Sequence, residues 1–177
     1  ISGWPSGLYR LNKSAVSVLE FPVEISSSMV SLLHVSENGR MLLSTRKGLY
    51  HISGEGEIDD PVYLPGYPLT LGQAMVQSSR GINWIATNRG LYQIDRNGKP
   101  RITKTGLEEK TPLLTITEDR KQRLWITPTA NRVWVRRGEK WESLELPVRD
   151  KNAYVMAVTL GPEGSPWFGT WDGTLVR

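Results

Sequence analysis

Two histidines, His34 and His51, and one adjacent acid pair, Asp59-Asp60, are the residues of this chain best suited to proton transfer or metal ligation. Histidine changes charge near neutral pH and ligates metals through either ring nitrogen. Neighbouring carboxylates suit a hard cation such as calcium. The setting of each residue points to structure instead. His34 sits in the apolar run "VSLLHV", His51 stands beside Tyr50 in "GLYHI", and the acids precede Pro61 in the turn-rich "GEGEIDDP". Cysteine is absent, which removes disulfides, thiolate metal sites and Cys nucleophiles. Gly-x-Ser-x-Gly elbows, phosphate-cradling glycine loops and His-Glu-x-x-His helices are also missing. The residues predict no catalytic group, no metal and no cofactor.

Binding chemistry is better represented. Trp4, Arg46, Tyr67, Asn88, Arg89, Asn131, Arg132, Trp171 and Asp172 fall in turn-like stretches and form the predicted ligand site. Aromatic faces can stack on a sugar ring, while guanidinium and amide groups pair with carboxylate or sulfate. The expected partner is a small acidic or carbohydrate ligand. These residues are far apart in sequence, so the elements that gather them must be found.

Those elements form a repeat. Gly7-Leu8-Tyr9, Gly48-Leu49-Tyr50 and Gly90-Leu91-Tyr92 recur at steps of 41 and 42 residues. Two degenerate copies follow at the same stride, "LWITPTANRVWVRRGEKW" and "WFGTWDGTLVR". In this register Leu42, Trp84, Trp125 and Trp167 form one column, and Thr45, Thr87, Pro128 and Thr170 another. Upstream of each lies a turn, Asn38-Gly39, Arg80-Gly81, Lys121-Gln122 or Glu163-Gly164. A period of about 40 to 45 residues signals a solenoid, a propeller or an array.

The pattern inside one unit decides among these. The clearest unit holds four short runs, "QAMVQS", "NWIAT", "GLYQID" and "PRITK", rich in β-branched and aromatic residues and bounded by turn formers. No helical spacing persists beyond about two turns. Four strands per unit predicts an all-β fold, a β-propeller of four-stranded blades. The first strand is expected innermost, with Leu33, Met75, Ile116 and Val158 in one column and Leu32, Ala74, Thr115 and Ala157 in the next. His34, with Val76, Thr117 and Thr159, would then face the channel. The Trp column is expected to pack between neighbouring blades. The glycine before Leu-Tyr is expected to take a positive φ. The predicted ligand residues mostly lie on the loops joining second to third strands, which converge on one face; Tyr67 sits in a blade-joining loop near the same face. They vary from copy to copy while the flanking Gly and Thr repeat, as expected of a site grafted on a frame.

The chain of 177 residues is long enough to bury a real core. Its net charge of +4 is mild, and the basic residues are scattered apart from a local excess between Arg132 and Lys140. That balance favours acidic partners and carries no nucleic-acid signature. No apolar run reaches the roughly 18 residues of a membrane span. The chain opens at Ile1 inside a motif rather than at a methionine, which predicts a segment of a longer protein.

The phrases "DRKQRLWI" and "WFGTWDGTLVR" resemble the two-component regulator propeller repeat: an Asp-x-x-Gly turn, a Leu-Trp pair, a Gly-Thr step, then Gly-Leu-Tyr. The resemblance covers essentially the whole chain. It is strongest over residues 84–94 and 167–177 and weaker over 125–135, where Pro128 replaces Thr and Arg132 stands near the glycine position. It implies a periplasmic, non-catalytic sensing module of a bacterial two-component or diguanylate cyclase receptor, partnered by the rest of the receptor chain. Two alternatives are a streptogramin-lyase-like propeller enzyme, suggested by "WITPTANRVWV", and a protein-interaction scaffold.

We read residues 1–177 as one propeller domain or fragment. It comprises a partial unit 1–29, units 30–72, 73–112 and 113–153, and a partial unit 154–177. Strands resembling the third and fourth of a unit come first, over 7–12 and 15–21, and the first two with a truncated third come last. This predicts a small or partial ring: an arc of a larger propeller or, with the ends joined, four blades with one strand duplicated. Open blade edges would favour self-association.

Overall fold

A computed structural model describes residues 2–3, 7–12, 15–18, 30–35, 41–53, 57–65, 72–95, 99–108, 110–128 and 131–177. Every regular element in them is a strand, and every sheet is an antiparallel meander. The chain divides into two compact units, Ile1–Gly72 and Gln73–Arg177.

The described residues of the first unit hold two three-stranded sheets. One runs β1 (Ser2–Gly3), β2 (Gly7–Asn12), β3 (Ala15–Val18), and the other β4 (Val30–Val35), β5 (Met41–Thr45), β6 (Gly48–Ile52). β1 adds a short strand in the second position, ahead of the expected third and fourth. Among the described residues the unit over 30–72 shows no regular fourth strand. Two isolated bridges stand in its place, Ile58 opposite Ile52 and Val62 opposite Leu49. The outer segment carries one residue more than β6 between these bridges, so it bulges around Asp59, Asp60 and Pro61. Proline has no N–H to give a ladder, which confines it to such an edge. The exposed acid pair is therefore part of an irregular edge strand. Leu43, Tyr50 and Ile52 form the core of this sheet, with Val30, Met41 and Ile58 packed against them.

The second unit takes in all but the first residue of β7 (Gly72–Gln77), followed in spatial order by β8 (Asn83–Thr87), β9 (Gly90–Ile94) and β10 (Pro100–Thr103). The next sheet is β11 (Leu113–Glu118), β12 (Leu124–Pro128), β13 (Arg132–Arg137) and β14 (Lys140–Glu145). The last is β15 (Val155–Leu160), β16 (Pro166–Thr170) and β17 (Leu175–Val176). β12 is sandwiched between two sheets, which alternation makes possible because successive side chains point to opposite faces. Leu124 and Ile126 join Trp84, Ala86 and Leu91 of the preceding sheet, while Trp125 joins Val155, Phe168 and Val176 of the following one.

Trp84 and Trp125 of the Trp column thus pack between sheets, whereas Trp167 of the last sheet is half-buried with the Arg177 guanidinium over its ring at 5.7 Å. Trp84 is 4% exposed and Trp125 6%, with the Trp125 and Phe168 rings tilted at a centroid distance of 5.7 Å. Burying a large apolar side chain of this kind contributes about 2–3 kcal/mol. The Arg136 guanidinium lies over the Trp84 ring at 5.2 Å and closes its solvent edge. β11 lies against β15 and against β8, so the first strands are the inner ones in this unit. The pairing of first with second strand slips by one residue at Val30/Leu32, Leu113/Thr115 and Val155/Ala157. This recurring bulge bends the inner strand just below the turn face. Four-stranded antiparallel sheets packed face to face on their inner strands are propeller blades.

Candidate functional site

The turns that carry the predicted ligand residues share one construction. Thr45 Oγ1 accepts from Lys47 N at 2.9 Å and donates to the Gly48 carbonyl at 3.3 Å. Thr87 repeats this with Arg89 N at 3.0 Å and the Gly90 carbonyl at 2.8 Å. Thr170 likewise accepts from Thr174 N at 3.1 Å, its own hydroxyl proton going to Asp172. A threonine at the end of the second strand thus clamps its own turn, a local side-chain bond of the ST type. The glycine that follows takes a positive φ, 131° at Gly48, 114° at Gly90 and 78° at Gly173. That is the left-handed region in which a Cβ is strained. With the frame held this way, the intervening residues are free to differ.

Arg46 is exposed at the β5–β6 turn of the first unit. Asn88 and Arg89 are half-buried at the β8–β9 turn, and Arg89 lines a pocket. Asn131 and Arg132 stand where Pro128 replaces the clamping threonine. The Asn131 carbonyl accepts from Leu146 N at 2.9 Å, and Arg132 pairs with Glu145 at 3.2 Å across β13 and β14. Trp4 and Tyr67 lie outside the described residues.

Trp171 and Asp172 form the most developed local structure. Trp171 is 68% exposed, yet its ring stacks on Tyr154 at a centroid distance of 5.9 Å and an interplanar angle of 21°. Its backbone N–H donates to the Tyr154 carbonyl at 3.0 Å. Asp172 accepts from the backbone N–H groups of Arg149 and Asp150, both at 2.9 Å, from Thr174 N at 3.1 Å, and from the Thr170 hydroxyl. The Thr170 hydroxyl and then the Asp150 N–H hold its carboxyl far below the usual range, because donors favour the ionised form. Asp172 therefore ties the loop entering β15 to the β16–β17 turn and fixes an indole with one face covered and the other open. Tyr154 is a site residue that sequence reasoning missed. It directly precedes the strand, which begins at Val155.

His34 is half-buried, and burial lowers its pKa. Its Nε2 has no partner among the described residues. His51 lies half-buried on β6, its carbonyl accepting from Asp59 N. Among the described residues no group of three His, Cys, Asp or Glu side chains is placed to share a metal.

A different carboxylate is spent on the frame. Asp119 is 4% exposed and accepts from Trp125 Nε1 at 2.9 Å, Arg123 Nε at 2.6 Å, Arg123 N at 3.0 Å and Lys121 N at 2.9 Å. Burial pushes its pKa up, and the Trp125 and Arg123 hydrogen bonds together outweigh that and leave it lowered. In the same turn Gln122 takes φ 59°, where Gly81 and Gly164 take 74° and 79°.

No family model matches the chain, and no curated protein matches it in sequence. Solved structures do. The chain resembles virginiamycin B lyase from Staphylococcus aureus with a TM-score of 0.67 and 22% identity, over 83% of this chain and 54% of that one. A catalytically inactive form of that lyase with quinupristin gives 0.72 and 18%, over 95% and 61%. The extracellular domain assigned to a hybrid two-component system of B. thetaiotaomicron gives 0.78 and 16%, over 96% of this chain and 24% of that one. The chain thus spans a little over half the length of the lyase structures and about a quarter of the receptor domain. These likenesses show the fold, a β-propeller shared by enzymes and by extracellular receptor domains.

Proposed function

We propose that this chain is the ligand-sensing propeller module of a bacterial extracytoplasmic receptor, of the two-component or diguanylate cyclase kind. In this reading it binds a small acidic or carbohydrate ligand on its turn face and carries out no chemistry. The observation that carries the reading is the fixed, solvent-facing Trp171, stacked on Tyr154 and anchored through Asp172. A large aromatic surface left in water but held rigid has little structural purpose of its own. It suits a ligand ring, because the ordering that binding would otherwise demand is already present in the free protein. The likeness to extracellular domains of two-component systems supports a periplasmic or extracellular location. The positive net charge favours an acidic ligand. Ligand engagement would alter packing at the turn face and so bias a distant output element.

A thermal-shift screen against acidic oligosaccharides tests the reading. It expects a saturable rise in melting temperature that Trp171→Ala abolishes. Silence across the panel would instead favour a protein-interaction scaffold.

A further inference from the structure

A second feature of the turn face is a pocket of about 290 Å³ between the outer edge of β9–β10 and the loop leading to β11. We propose that this pocket binds a small organic anion with an apolar body, an aliphatic or aryl carboxylate. The proposal is separate from the Trp171 platform and holds whether or not the propeller reports to an output domain.

Three observations carry it. First, the pocket lining combines apolar and cationic side chains. Leu107, half-buried, supplies apolar surface, while Arg89, Lys104 and Lys110 line the same space. Ile102, 59% exposed on β10, adds apolar surface that no packing in the chain requires. Second, the cations are not drawn into ion pairs. Arg101, Arg123, Arg132, Arg136, Arg137 and Arg177 each pair with a carboxylate. Among the described residues no ion pair engages Arg89, Lys104 or Lys110, and Glu108 is the one acid of the described lining. Cations lining one space and outnumbering its acid favour an added anion.

Third, the loop is held in a shape that needs a reason. Lys110, a non-glycine residue, takes φ 67°, and Gly106 takes 78°. The Thr111 hydroxyl and N–H both donate to the Glu108 carbonyl, at 2.8 and 3.2 Å, and Leu107 N donates to Thr105 Oγ1 at 3.3 Å. Left-handed conformations at ordinary residues persist where surrounding bonds enforce them, and they gather at ligand sites. The corresponding connection after β14 does the opposite, burying Leu146 and packing Val148 into the core. The pocket is therefore a departure from the repeat.

The volume sits just below the usual range for small-molecule sites and suits a ligand on the order of a dozen heavy atoms. A carboxylate placed among Arg89, Lys104 and Lys110 would leave its carbon chain over Ile102 and Leu107.

The test is calorimetric titration of the chain with 4-phenylbutyrate, beside neutral 4-phenylbutanamide and acetate. We expect one saturable site with a dissociation constant on the order of 1 mM. The amide should bind several-fold more weakly, and acetate should not saturate over the same range. The double variant Arg89→Gln, Lys104→Gln should weaken phenylbutyrate about three- to tenfold, the range for exposed charge pairs. Arg137→Gln, which removes a cation elsewhere, should leave binding unchanged. Amide NMR shifts on titration should centre on Gly90, Gly106 and Lys110. Equal affinity for acid and amide, an unaffected double variant, or shifts centred elsewhere would each overturn the proposal.

Discussion

Replacing Asp119 with alanine should destabilise the second unit by about 2–4 kcal/mol, and the structure shows where that figure comes from. The carboxylate accepts four hydrogen bonds while only 4% exposed. Not all four losses count equally. Lys121 is exposed and the Arg123 side chain is 25% exposed, so their donors can turn to water at little cost. Trp125 Nε1 cannot, because its ring is held between two sheets at 6% exposure. An orphaned buried donor costs about 1–3 kcal/mol, and loss of charge-assisted bonds in the turn adds about 1 kcal/mol.

Asp119→Ser should fall between wild type and alanine. Ser78 occupies the corresponding position and holds its turn with one bond, Oγ accepting from Ile82 N at 3.1 Å. Gly161 occupies it in the last unit, and there Trp167 Nε1 is buried without a partner among the described residues, its indole lying so close that a Cβ on Gly161 would meet Nε1 at 2.5 Å.

The assay is urea denaturation of the chain, followed by tryptophan fluorescence at several pH values. The folded pKa of Asp119 is depressed below its ordinary 3.8. The carboxylate therefore contributes its full stability above the unfolded value and loses it as pH falls through the lower folded value. The gap between wild type and Asp119→Ala should be constant from neutral pH down to about 5 and narrow below about 4. A variant within 0.5 kcal/mol of wild type at pH 7, on the order of the ordinary surface scatter, would refute the reasoning. So would a gap that widens in acid.

Further outcomes are expected. Gly90→Ala should cost about 1–2 kcal/mol from its φ of 114° alone, since nothing lies within 4 Å of the new Cβ. Gly48→Ala should cost more, because the same strain is joined by a Cβ contact with Pro61 at 3.1 Å; thermal melts of both variants check the order. Asp172→Asn should speed hydrogen exchange at the Arg149 and Asp150 amides, whose acceptor it is, and leave the sheet cores protected. The chain should not consume quinupristin under conditions in which a streptogramin lyase does. Consumption that His34→Ala removes would establish the enzymatic alternative.

What the sequence disclosed depended on what repeats. β8 coincides with its predicted bounds and β9 falls one residue short, because a strand that ends in a Thr clamp and restarts after a left-handed glycine leaves both signals in every copy. The inter-sheet place of Trp84 and Trp125 followed from the same register. Features peculiar to one copy were hidden. The missing fourth strand over 57–62 reflects a single extra residue beside Pro61, which spacing alone does not reveal. The platform under Trp171 needed Tyr154 to leave the strand one residue before pairing begins. The Arg89 pocket depends on the left-handed turn at Lys110, which no residue-type rule anticipates. Asp119 was legible as a turn residue, while its bond to Trp125 across the blade required the fold.

Calorimetric titration of the chain and of Trp171→Ala with an oligomeric hexuronate tests the central claim most directly. The account predicts saturable binding to the wild type that the substitution removes while the melting temperature of the unliganded protein stays put. Absence of binding, or equal binding by both proteins, would contradict it.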